Sequence, residues 1–421
     1  MSKQPLLARL GSARSKGGMR SVMMVTGGRS SSSSFGDLIE KNPHMHRDAL
    51  IRSDARRLMM KVSTYGPAPA VATSPNCSFM LLGSYALTLV HLPSGECLTL
   101  LSNMQLAIKR RAAGAAAPDG LLSFTHCCVS DDDSLACACS GPLVVVFDVL
   151  PNANSAVAPR CTEVAMFDMG ADAVGCALGP LGAGGQRYAA ACDASGAAHL
   201  WSLGGSGAAA GSAAAAAVRL EPTAPLHCLC LVDVSTVVLG GSGGLRIWDP
   251  HDGPTFHGMQ GAPARDAASL KAGEAFGSAG DVQRVAYAES PMHSTACVVS
   301  CEAPSKVRLW DVRTGEPLVE LGTPEGVPKC AWLARGGRWA LTLSGRSALR
   351  VFDVRAAAAV DVAALGDASV HLWCGAALSP DNRWLVGLGV TRMGAWEVIA
   401  IEVTPPLDDR PVPSMVPSEA V

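Results

Sequence analysis

The segment KVRLWDV (Lys306–Val312), with ALRVFDV (Ala348–Val354) 42 residues after it and GLRIWDP (Gly244–Pro250) 62 residues before it, decides how this chain folds. Each is a short run of Val, Ile, Leu and an aromatic residue, ended by Asp and then a turn, which is the composition of a β-strand. Weaker copies stand at LVVVFDV (Leu143–Val149), AAHLWSL (Ala197–Leu203) and ALTLVHL (Ala86–Leu92). A second apolar run precedes the best copies: RWALTLSG (Arg338–Gly345) before one, TACVVSCE (Thr295–Glu302) before another. In LVVVF the apolar residues are consecutive, so both faces of that strand need cover. The turns PSGE (Pro93–Glu96) and VRTGEP (Val312–Pro317) carry Gly where the backbone takes a positive φ.

The aromatic positions fall at 147, 201, 248, 310 and 352, with gaps of 54, 47, 62 and 42. Units of about 40–45 residues, stretched by loop insertions, are the period of a four-stranded propeller blade, and radially stacked blades supply the double cover. Seven units are expected, centred on Val71–Leu101, Leu121–Met169, Ala173–Glu221, Leu226–Met259, Val282–Leu321, Pro328–Leu365 and Val370–Val403. The fourth has no clear outer strand. The seventh shows three strands, VHLWCGAAL, RWLVGLGV and WEVIAIEV, and its fourth is expected from Leu58–Thr64, which would close the ring and hide its exposed edge. The expectation is an all-β, seven-bladed β-propeller of four-stranded antiparallel blades over residues 58–404. A basic, Ser-rich extension (1–57) and a Pro-rich tail (405–421) flank it, both read as disordered.

Trp248–Asp249 and Trp310–Asp311, with Phe147–Asp148 and Phe352–Asp353 as variants, resemble the WD repeat over roughly residues 66–403. The resemblance implies a β-propeller, usually of seven blades, whose usual role is assembling other proteins. The match is degenerate. No Gly-His dipeptide occurs in the sequence, and Asp193 is the best candidate for the turn Asp ahead of a Trp strand. The family's buried His–Ser–Trp–Asp network is therefore expected to be largely missing.

Hydrophobic residues make up 48% of the 421, charged residues 17%, and the formal net charge is −2, so no global charge draws the chain to nucleic acid or an anionic membrane. No run of about 18 apolar residues exists to span a bilayer, and Ser21–Val25 is too short for a secretory signal. The fifteen cysteines read as reduced thiols of a cytoplasmic or nuclear protein. Residues 1–36 carry six basic side chains and no acidic one, which suits a basic tail or, alternatively, a mitochondrial or plastid transit segment.

Candidate chemistry is sparse. HCC (His126–Cys128) and CAC (Cys137–Cys139) hold zinc-type ligands, but consecutive Cys127 and Cys128 point to opposite faces of a strand, so no metal site is expected from them. Asp131–Asp133 reads as a solvated turn. The glycine-rich Gly240–Leu245 and Gly179–Gln186 lack the Lys-Ser/Thr ending of a phosphate loop. No nucleophile elbow, zincin pair or kinase signature occurs, the ten histidines are scattered, and neither catalysis, a cofactor nor a small-molecule substrate is expected.

Binding is expected instead. The insertion Asn103–Gly120 presents Lys109, Arg110 and Arg111 as a basic loop; Gly204–Ala217 reads as a tether, and His251–Gly280 as a long polar loop. Trp310–Asp311–Val312–Arg313 and Phe352–Asp353–Val354–Arg355 resemble the WDxR boxes of substrate receptors for cullin-RING ubiquitin ligases. That resemblance implies contact of Arg313 and Arg355 with the ligase's propeller-containing adaptor, a task suited to the planar guanidinium fork. The leading expectation is a protein-interaction scaffold in an intracellular assembly. The alternatives are the ligase receptor and an organelle-imported assembly subunit.

Overall fold

The computed structural model describes residues 51–62 and most of 70–403; residues 1–50, 63–69, 113–122, 180–185, 204–217, 259–280, 361–369 and 404–421, with several shorter turns, lie outside the described residues. Along the chain come β1 (Ile51–Val62), then blade 1: β2 (Ala70–Thr73), β3 (Phe79–Gly83), β4 (Ala86–His91) and β5 (Cys97–Ser102). Helix α1 (Asn103–Ala112) follows. Blade 2 is β6 (Phe124–Val129), β7 (Leu135–Ser140), β8 (Leu143–Leu150) and β9 (Arg160–Asp168). Blade 3 is β10 (Ala173–Leu178), β11 (Tyr188–Asp193), β12 (Ala198–Ser202) and β13 (Val218–Leu220). Blade 4 is β14 (Leu226–Leu231), β15 (Val237–Gly241), β16 (Gly244–Trp248) and β17 (Phe256–Gly258). Blade 5 is β18 (Val282–Ser290), β19 (Thr295–Glu302), β20 (Lys306–Asp311) and β21 (Pro317–Gly322). Blade 6 is β22 (Pro328–Leu333), β23 (Trp339–Ser344), β24 (Leu349–Asp353) and β25 (Ala358–Val360). Blade 7 is β26 (Val370–Leu378), β27 (Trp384–Thr391) and β28 (Trp396–Val403), completed by β1.

All seven sheets are four-stranded and antiparallel. Innermost strands of neighbouring blades touch from β2 against β6 through to β18 against β22 and again at β26 against β2, while blade 6 meets blade 7 through β23 against β26. The all-β, seven-bladed propeller of the sequence reading is the observed fold. The closing strand runs antiparallel to β28, with Val62 opposite Trp396 and Ile51 opposite Val403. It begins seven residues before the expected Leu58, and its described part ends at Val62. An outermost strand needs no continuous apolar run, so Arg52, Asp54 and Arg56 hid its true start. The undecided outer strand of blade 4 is β17, three residues paired to β16.

Strand alternation distributes the core between seams. Along β8, Val144 and Val146 face blade 3, while Leu143, Val145, Phe147 and Val149 face blade 1. All six of these side chains are buried, the double cover that LVVVF requires. Similar apolar seams join blades 3 and 4, 4 and 5, 5 and 6, and 7 and 1. Gly95 and Gly315, in the two turns read from sequence, both take φ of +71°. In the Asp131–Asp133 turn, Asp132 Oδ1 accepts hydrogen bonds from the hydroxyls of Ser130 (2.6 Å) and Ser134 (2.7 Å), a self-satisfied loop. Among the described residues, no helix is long and apolar enough to cross a membrane.

Blade 3 shows how tightly the turns are specified. Asp193 Oδ1 accepts from the backbone N–H of Ser195 (2.9 Å) and Ala197 (3.0 Å), closing the β11–β12 turn as expected of the turn Asp. Gly196 in that turn has φ of +98°, and a Cβ there would stand 2.3 Å from the carbonyl oxygen of Ala224. Gly196→Ala combines a strained backbone with a clash against main chain, and is expected to cost about 3 kcal/mol. Denaturant unfolding at equilibrium checks this; a loss below about 0.5 kcal/mol, the size of an ordinary surface substitution, would contradict it.

Candidate interaction surface

The two WDxR-like boxes end β20 and β24 in adjacent blades. Trp310, Asp311, Phe352 and Asp353 are all buried, so these four hold the blade edges rather than face a partner. The backbone N–H of Arg313 donates to Asp311 Oδ1 at 2.8 Å, and Gly315 N–H to the Asp311 carbonyl at 2.8 Å. This aspartate-capped turn leaves the Arg313 side chain exposed. In blade 6, Asp353 instead pairs with Arg338 at 3.3 Å, and Arg338 stacks over Trp339, 4.6 Å from the ring centroid. Arg355, the second arginine of the pair, lies outside the described residues.

Behind Trp310 runs a buried chain of hydrogen bonds. Its indole Nε1–H donates to Ser300 Oγ at 2.8 Å, and Ser300 donates to Glu302 Oε1 at 2.8 Å. Arg308 Nη1 pairs with Glu302 Oε2 at 3.0 Å, and Arg308 Nε with the exposed Glu320 at 3.1 Å. Alternation explains the set: Ser300 and Glu302 on β19 share a face with Arg308 and Trp310 on β20.

The expected basic loop at Asn103–Gly120 is, over its described part, the helix α1. Its start is a capping box: Ser102 Oγ accepts from Gln105 N–H at 3.2 Å, while Gln105 Oε1 accepts from Ser102 N–H at 2.8 Å. Ser-x-x-Gln at 102–105 is the local sequence signal of this helix start. Leu106, fully buried, pins the helix into the seam of blades 1 and 2. Lys109 ties it to β9 through a 2.7 Å ion pair with Glu163. Arg111 is exposed. On the outer face, Met104 is 73% and Ile108 60% exposed, one helical turn apart.

The ring encloses a channel of about 820 Å³. His126, His227 and Arg284 all line it, each within three residues of the start of an innermost strand. Positions 101 and 57 residues apart, in blades 2, 4 and 5, carry no local signal. His227 Nε2 pairs with Asp281 at 2.9 Å, and Arg284 Nη1 donates to the His227 carbonyl at 3.3 Å. Burial, then the charge of Arg284, lowers the His126 pKa to about 4, leaving the ring neutral at pH 7.

No family model matches the sequence, and no curated protein matches it. A chain in a crystal structure of the mitotic checkpoint complex superposes with a TM-score of 0.53 at 12% identity, covering 96% of this chain and 99% of that one. Matching solved chains number 1272, so a likeness of this kind discriminates little between functions. What the chain shares with these structures is the propeller fold.

Proposed function

We propose that this chain is a non-catalytic protein-interaction scaffold that engages a partner through the outer face of α1. The observation that carries the reading is the exposed Met104–Ile108 pair on a helix that is capped, anchored by Leu106 and ion-paired through Lys109. A rigid helix presenting two large apolar side chains is a surface that another protein covers. A chain of a multiprotein complex with the same fold is consistent with this role. The test is quantitative affinity purification of wild type beside the Met104→Glu/Ile108→Glu variant. At least tenfold depletion of a stoichiometric partner is expected, with thermal unfolding unchanged because both side chains face solvent. An identical partner set would refute the use of this face.

A second reading, the ubiquitin-ligase substrate receptor, rests on the exposed Arg313 at the end of β20 with its backbone fixed by Asp311. It requires that the ligase adaptor co-purify and be lost on Arg313→Ala plus Arg355→Ala. Retention of the adaptor by that double variant dismisses the boxes as the contact.

A further inference from the structure

Pairing and alternation gather sulfur at the seam of blades 2 and 3. On β6 and β7, Cys128 stands opposite Cys137 and His126 opposite Cys139. Cys128, Cys137 and Cys139 pack in the seam with blade 3, and β10 of that blade brings Cys176 against them. The Sγ atoms of Cys128, Cys137 and Cys176 all lie within 4.8 Å of one another, and Cys128 donates to Cys176 across 3.9 Å. Cys139 packs in the same seam. Around a tetrahedral zinc with bonds of about 2.3 Å, neighbouring sulfurs are about 3.8 Å apart. The triangle is already near that size.

His126 supplies an independent observation. Both of its ring nitrogens are buried and, among the described residues, neither has a hydrogen-bond partner. Two unsatisfied buried polar atoms are costly, and a metal bond, made by turning the ring from the channel toward the three sulfurs, would satisfy one of them. Cys128, Cys176 and His126 also line the central channel, which gives an ion a path in.

We propose that His126, Cys128, Cys137 and Cys176 form a site for a thiophilic d10 cation, zinc, that staples blade 2 to blade 3. Binding releases three thiol protons to solvent, and three thiolates, one neutral imidazole and Zn²⁺ leave a net charge of −1. The Arg284 guanidinium lines the same channel as His126, Cys128 and Cys176, where it would offset that charge. Cys139 is outside the group whose sulfurs lie within 4.8 Å of one another, so it is left out of the set. Alternation turns Cys127 away to the seam with blade 1, and the third sulfur comes from Cys176, 48 residues beyond Cys128 and in the next blade.

The test is metal analysis of the full-length, thiol-reduced protein with zinc and cobalt(II) as probes. The expected result is one equivalent of zinc per chain and, for cobalt, tetrahedral d–d bands with thiolate-to-metal charge transfer of a three-sulfur, one-nitrogen set. Cys176→Ala is expected to weaken zinc binding at least tenfold, whereas Cys161→Ser, on the outer strand of blade 2, leaves it unchanged. Chelation of zinc from the wild-type protein should lower its melting temperature, a readout that survives should Cys176→Ala fold poorly. The proposal is overturned by an absence of binding at micromolar zinc, by binding that Cys176→Ala does not weaken, or by a Cys128–Cys176 disulfide in protein purified without reductant that persists in the presence of zinc. A four-sulfur cobalt spectrum would remove His126 from the site.

Discussion

Deleting residues 1–62 is expected to abolish cooperative thermal unfolding and drive the chain into aggregates, whereas deleting residues 1–50 leaves the melting curve in place. The difference is β1. Its pairing with β28 runs from Ile51 opposite Val403 to Val62 opposite Trp396 and is the last contact that completes the seven four-stranded sheets. Without it, β28 becomes an edge with open N–H and C=O groups, and Val398, Ile399 and Ala400, now fully buried, lie on that edge strand. A long apolar edge of this kind templates pairing with other chains. The blade would also lose the only link in which the two ends of the described ring are hydrogen-bonded together, so a gain of chain entropy opposes reclosure. Size-exclusion chromatography and calorimetry of the two truncations decide the matter. A peptide spanning 51–62 added in trans should restore part of the soluble fraction. A sharp, unshifted melt for the shorter chain would mean that three strands suffice for blade 7.

What was legible in the sequence, and what was not, divides along the same line as local and non-local structure. Trp248, Trp310 and Phe352, each followed by Asp, marked the third strand of blades 4, 5 and 6 because a strand of that composition and the turn behind it are set by neighbours in sequence. Gly95 and Gly315 were readable for the same reason. Of the candidate contacts, Arg313 is exposed as a binding residue must be, Lys109 is occupied by Glu163, and Trp310, Asp311, Phe352 and Asp353 are interior. The capping box of Ser102 and Gln105 could have revealed α1. Nothing local could have joined Cys176 to Cys128, or His126 to Arg284. Alternation says which face of a strand a side chain takes, and only the closed ring says which blade lies opposite.

Replacing Arg308 with methionine is expected to cost about 3–5 kcal/mol at pH 7, the range for breaking a buried ion pair by removing one partner. The Glu302 side chain is fully buried and Arg308 is 14% exposed, so the pair at 3.0 Å is little screened by water. Truncating the arginine leaves the buried carboxylate with the Ser300 hydrogen bond and the charge of Lys306, opposite it on β20, beside Trp310 and the apolar seam with blade 4. Glu302→Gln in the same chain should recover most of the loss, since a neutral amide still accepts from Ser300 and carries no charge to desolvate. A double-mutant cycle would then report a coupling of about 2 kcal/mol or more. The pH dependence follows from the carboxyl itself. Burial holds the Glu302 pKa above its ordinary 4.5, opposed by the Ser300 hydrogen bond and by Arg308. A raised folded-state value favours folding below 4.5, and that contribution is lost as pH climbs through the folded pKa. Without Arg308 the folded value rises further, so the deficit of Arg308→Met against wild type should widen from pH 5 to pH 7 and narrow on acidification. Urea unfolding of the four chains at both pH values measures it. A deficit independent of pH, together with additive single changes, would mean that the arginine acts through its packing over Trp310, 5.8 Å from the ring centroid, and not through its charge.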